Sequence, residues 1–179
     1  MLYNYSINYK EGKMSHQLRK IIAFRFLKDN EIDYLSKVIE IIPVKSGDCI
    51  VEEFSKGAEI YFILEGSYNV IVNSNNQNSN FIAVIGEGDC FSESGLFPQM
   101  SRSASIIAAN DGQVVRLNRN NLLKFISQFP AGGIKMLMMI IYSLLKKLRM
   151  LNRELAFERA EDSAQDEIDS LVKDFMNNI

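Results

Sequence analysis

Between Ile41 and Asn118 the chain never runs long without a turn. Short β-branched or alternating runs, namely 49–51, 59–64, 68–72, 81–85, 105–108 and 113–117, are separated by Lys45-Ser46-Gly47-Asp48, Glu65-Gly66-Ser67, Gly86-Glu87-Gly88-Asp89 and Asn110-Asp111-Gly112. Runs this short, closed by glycine turns, cannot build helices and read as strands of a β-sandwich or barrel. Asn73 to Asn80 is all polar but for the strand edges and reads as a flexible hairpin loop.

Helical periodicity flanks this region. Leu18, Ile21, Ile22 and Phe26 predict a helix over Met14 to Lys28. Asp29 is placed to cap a second helix over Asn30 to Glu40, which Pro43 ends. Asn120 to Gln128 reads as a short helix closed by Pro130. After Gly132-Gly133 a long helix is expected from Ile134 to about Arg159, and a last one from about Ala164 to Asn177. The organisation expected is an extension over 1–13, a β-domain with its leading helices over 14–130, and a helical part over 131–179.

Composition excludes several classes. An apolar fraction of 47% with a formal net charge of -2 suits a packed chain and lacks the basic excess of a non-specific nucleic-acid binder. His16 is the only histidine, so a histidine metal site or triad has no partners, and neither metal nor enzyme is expected. Cys49 and Cys90 are too few for a disulfide framework and read as reduced, which points to the cytoplasm. Met1 to Lys13 has no apolar signal core. The apolar run Met136 to Leu145 is about half of the ~20 residues a membrane span needs.

The residues that carry chemistry lie in Phe91-Ser92-Glu93-Ser94-Gly95-Leu96, a short spacer, and Arg102-Ser103-Ala104. This segment resembles the phosphate-binding cassette of cyclic-nucleotide-binding domains. Tyr61-Phe62-Ile63-Leu64-Glu65-Gly66 resembles that family's Tyr-x-Ile-x-x-Gly strand and turn, and Gly88-Asp89-Cys90-Phe91 its entry to the cassette. The resemblance covers about Phe26 to Arg159. It implies a mainly β fold with flanking helices, a β-roll or jelly roll carrying a long C-terminal helix. It also implies a ligand, cyclic AMP or cyclic GMP; cyclic AMP is the first choice, and Ser103 is compatible with either.

In that family's terms, Arg102 would pair with the cyclic phosphate and Glu93 would accept from the ribose 2′-hydroxyl. The backbone N–H groups of Gly95 and Ser103 would face phosphate. Val70 and Ile82 would line the purine. Ser92 stands where the family has glycine, and Ser94 where it has a buried apolar residue, so both sit at the site as departures. Read without a ligand, Arg102 and Glu93 would form a structural ion pair, since a buried charge needs a partner.

Leu137, Ile141, Leu144, Leu148, Leu151 and Leu155 recur at coiled-coil spacing. They imply a parallel homodimer like that of the catabolite activator protein family; the alternative is a monomer whose last helix folds back over the stripe. In the family this helix lids the base, which would bring Leu151 and Asn152 to the purine; Asn152 would bond the base edge or act as a polar register residue. Lys146, Lys147, Arg149 and Arg153 read as a solvated face. The acidic segment that follows offers no recognition helix. The function expected is a cyclic-nucleotide sensor that signals to an unknown protein effector through its long helix. The alternatives are a ligand-free dimeric interaction module and a sensor of another anion, with a transcription factor the weakest.

Overall fold

The computed structural model describes the backbone of residues 14–73 and 79–177, and the side chains of 14–72 and 80–153. Among the described residues, eight strands form two antiparallel four-stranded sheets. They are β1 (Glu40–Val44), β2 (Cys49–Val51), β3 (Glu59–Glu65), β4 (Tyr68–Asn73), β5 (Ser79–Ile85), β6 (Cys90–Phe91), β7 (Ser105–Ala108) and β8 (Gly112–Asn118). One sheet has the order β1-β8-β3-β6 and the other β2-β7-β4-β5. Successive strands alternate between the sheets over most of the chain, which is a jelly roll. The 49–51 and 105–108 runs form strands with the boundaries read from sequence.

The pleat sorts side chains into two clusters. Tyr61, Ile63, Tyr68, Phe91, Ile106 and Val114 fill the space between the sheets. Ile60, Phe62, Val115 and Leu117, on the opposite face of β3 and β8, pack against the helices through Leu18, Phe24, Ile32, Phe125 and Met136. Full burial of one such side chain is worth about 1.5–3 kcal/mol.

The helices differ from expectation in instructive ways. The predicted helix over 14–28 breaks into a short α-helical stretch over 14–18 and a 3-10 turn at Ile22–Phe24. The Ile22 N–H bonds the Gly88 carbonyl at 3.2 Å instead of continuing the helix. Helix α1 is Asp29–Ser36, shorter than read. Its cap is not Asp29: the Lys28 N–H donates to Glu31 Oε2 at 2.7 Å, and Asp29 instead accepts from Arg19 Nη2 at 2.6 Å. Pro43 does not end a helix but lies in β1, an edge strand, where its missing donor is tolerated.

Helix α2 is Arg119–Gln128, with the Asn118 side chain accepting from the Asn120 N–H at 2.9 Å. Helix α3 is Pro130–Asn177, one element where two were expected. Pro130 opens it, a position that spares the missing N–H. Gly132 and Gly133 lie inside it at positions that leave no room for a side chain: a Cβ would stand 2.7 Å from Glu31 Cδ at Gly132 and 2.8 Å from Ile126 Cγ1 at Gly133. No glycine or proline follows up to Asn177, so nothing local stops the helix before the predicted start at Ala164.

The chain divides into two compact units, 1–140 and 141–179, with the boundary inside α3. Among the described residues, no helix is long and apolar enough to cross a membrane. The predicted loop over Asn73 to Asn80 has its tip, 74–78, outside the described residues.

Candidate functional site

The segment after β6 is pinned at both ends. Phe91 is buried between the sheets and stacks on Tyr61, its register partner, with ring centroids 5.1 Å apart and planes within 4°. Leu96 packs against the helix-side cluster. Between them a 3-10 turn runs over Glu93–Leu96.

Ser92 precedes this turn with φ 64° and ψ 34°, the left-handed region that glycine adopts without strain. The conformation turns its carbonyl toward Arg102, whose Nη1 donates to it at 2.7 Å. The Gly95 N–H donates to the same oxygen at 3.0 Å. The role foreseen for that N–H, facing a phosphate, is therefore corrected: it closes the turn. Gly95 matters for another reason, because a Cβ there would overlap the Glu59 carbonyl oxygen and stand 2.6 Å from Arg102 Nη1.

Arg102 is only 4% exposed. Its Nη2 donates to the Glu59 carbonyl at 3.0 Å and lies 3.6 Å from the Glu59 carboxylate. The ion-pair partner of Arg102 is thus Glu59, where the ligand-free alternative had Glu93. The arginine backbone is held as well: its N–H donates to the Ser55 carbonyl and its carbonyl accepts from the Phe54 N–H, both at 2.9 Å. Gly57 leaves room here, since a Cβ would sit 2.6 Å from Glu59 Oε2 and 2.7 Å from Arg102 Nη2.

Glu93 is half-buried, and its Oε1 accepts from the Cys90 thiol at 3.5 Å. Ser94 is half-buried, and its carbonyl closes the turn from the Phe97 N–H at 3.0 Å. Ser103 is exposed and Ala104 half-buried, just before β7. Val70 packs partly on the inter-sheet cluster. Ile82 occupies a bulge in the β4–β5 ladder: Val70 faces Ala83, Ile71 faces Phe81, and Ile82 is the extra residue. Asn152 lies in the second unit, where its side chain is exposed.

The structure therefore brings Ser92, Gly95 and Arg102 together, and adds Glu59 and Gly57, which the sequence reading passed over. A glycine at the entrance to a strand was their only signal. Glu59 also lines a cleft of about 420 Å³ with Lys37, Glu40, Arg116, Asn118 and Asn121. In it Arg116 Nη2 bonds the Glu40 carboxylate, which raises the arginine's pKa further. Among the described residues no cluster of histidine, cysteine or carboxylate groups could hold a metal ion.

Residues 41–129, from β1 through α2, match the model of the cyclic nucleotide-binding domain. This domain belongs to the cyclic nucleotide-binding family. The Pycsar effector protein BcPycTIR of Burkholderia cepacia is 30% identical over 97 residues, which is 54% of this chain and 30% of the effector. The cGMP-dependent protein kinase of Plasmodium berghei (strain Anka) is 28% identical over 111 residues, 62% of this chain and 12% of the kinase. The chain thus spans less than a third of the length of either. A cyclic nucleotide-binding domain from Methylobacillus flagellatus KT shares the fold, with a TM-score of 0.72, 23% identity and 84% of each chain covered.

Proposed function

We propose that this chain is a non-catalytic regulatory module whose cyclic nucleotide-binding domain takes a cyclic mononucleotide, cyclic AMP before cyclic GMP. One observation carries the reading: Arg102 is buried in the cassette with donors to spare. A guanidinium has five N–H donors, and two carbonyls and one carboxylate do not use them all. Ser103, exposed beside it, has neither its N–H nor its hydroxyl bonded to another described residue. An anion seated between them would meet a charge-assisted fork, the strong form of hydrogen bond. Glu93 would take the ribose 2′-hydroxyl, and Val70 and Ile82 would wall the base. The name of the Plasmodium relative supports a cyclic nucleotide as the class of ligand.

The output in this reading is α3. A ligand that favours one of its positions shifts a two-state population. Ile141, Leu144, Leu148 and Leu151 are 38–53% exposed on it, a stripe suited to a second copy of the helix in a homodimer, while Leu137 is partly buried on the core of the first unit. Leu155 of the same seam lies outside the described side chains. The surroundings expected are the cytoplasm, and the effector is another protein.

Calorimetric titration with cyclic AMP, then cyclic GMP, tests the reading, with Arg102→Lys as the control. Saturable heat at about one site per chain, lost in the variant while it still melts cooperatively, is the expected result. The absence of heat with both ligands would favour the second reading, a ligand-free interaction module. The specific observation behind that reading is that Glu59 already neutralises Arg102.

A further inference from the structure

Glu59 lies inside the cassette, yet the binding chemistry has no use for it. A phosphate arriving at Arg102 would find the guanidinium already paired, with the Glu59 carboxylate 3.6 Å from Nη2. Two anions around one buried cation repel each other, and the repulsion is strongest where water is excluded. The partners differ in freedom. The Arg102 side chain is 4% exposed and the Glu59 side chain 30%. The arginine is also tied through its backbone to Ser55 and Phe54. If one of the two moves, it is the glutamate.

The sheet provides a place for it to go. Glu59 faces Asn118 across the β3–β8 ladder, and Arg116 lies two residues along β8 on the same face, opposite Tyr61. Diagonal neighbours of this kind have Cα atoms about 7–8 Å apart, within reach of long side chains. Arg116, Lys37 and Glu59 line one cleft, and the Arg116 side chain is 42% exposed, so its bond to Glu40 leaves it accessible.

We propose that Glu59 is a tethered counter-ion for Arg102 that an incoming cyclic phosphate displaces, its carboxylate passing into the cleft of Arg116 and Lys37. This rests on the reading of Arg102 as the phosphate ligand. The carboxylate then sets the affinity of the site: it stabilises the empty state and lowers affinity by the free energy of leaving the arginine. The charges of the cleft are thereby coupled to the cassette.

A double-mutant cycle with Glu59→Gln and Arg116→Gln, titrated with cyclic AMP by calorimetry, tests this. Glu59→Gln keeps the shape and the backbone carbonyl that Arg102 uses. It is expected to bind about tenfold tighter than the parent. Arg116→Gln is expected to weaken binding in the parent and to have no effect beside Glu59→Gln. Each variant is first checked for a cooperative melt, and Glu59→Ala replaces Glu59→Gln if that variant does not fold. Equal or weaker binding by the neutral variants overturns the proposal, as does an Arg116→Gln effect of the same size in both backgrounds; the sensor reading survives either result. Binding by Glu59→Gln where the parent shows none would support the counter-ion and overturn the sensor reading for the natural chain. Silence from both would overturn the two together.

Discussion

Gly95 and Arg102 compete for one volume. The arginine Nη1 occupies space that any side chain at position 95 would need, and the Glu59 carbonyl closes the other side. Gly95→Ala is therefore expected to destabilise the fold by about 1–3 kcal/mol, the usual penalty of overpacking. It is also expected to remove nucleotide binding, because the guanidinium must shift. Thermal melts and titration of the same sample check both.

Ser92 is held left-handed at φ 64°. An L-residue there costs about 1–2 kcal/mol, and glycine escapes the strain at some loss of chain entropy. Ser92→Gly is expected to raise stability by roughly 0.5–1 kcal/mol in denaturant unfolding. The Ser92 carbonyl, which holds Arg102, is retained in the variant.

Tyr68 is fully buried, and its hydroxyl donates to the Glu65 carbonyl at 3.1 Å. Burial first, and the Glu65 charge second, push its pKa up from 10.0 to about 12. Because the folded pKa is raised, the stabilisation is fully present below the unfolded pKa and is lost as pH rises through the folded value. Stability is expected to decline between about pH 10 and 12. Tyr68→Phe should remove up to about 1.4 kcal/mol per pH unit of that slope. Urea unfolding of both proteins across this range isolates the tyrosine.

If α3 pairs with a second copy through its apolar seam, charge on the seam must separate the copies. Leu144→Glu with Leu148→Glu is expected to halve the mass seen in sedimentation equilibrium while leaving the β-sheet circular dichroism unchanged. An unchanged mass would exclude pairing through this stripe.

The strands were legible because their signal is local. A run between glycines, such as Glu59–Glu65 between Gly57 and Gly66, contains its own boundaries. The helices were less so, because tertiary contacts overrode the pattern. The Ile22 N–H turns to Gly88, far along the chain, and Gly132 and Gly133, which read as a break, are glycine because Glu31 and Ile126 leave no room for a Cβ. The same divide runs through the site. Ser92 and Arg102 stood in a recognisable motif, but Glu59 reaches the arginine from 43 positions away. No spacing rule reaches that far, and the carboxylate of Glu59 looks in sequence like any charge at the start of a strand.

Three non-glycine residues among those described have positive φ: Phe54, Ser92 and Gln99. Phe54 and Ser92 bond Arg102 directly, and Gln99 lies in the spacer that leads to it. Two of the three thus hold one residue, Phe54 at the Arg102 backbone and Ser92 at the Arg102 side chain. A glycine at any of the three would relax the backbone strain, and the backbone groups that Phe54 and Ser92 present to Arg102 would remain. Durability at these positions can therefore rise without loosening the arginine, because the main chain and not the three side chains supplies the grip.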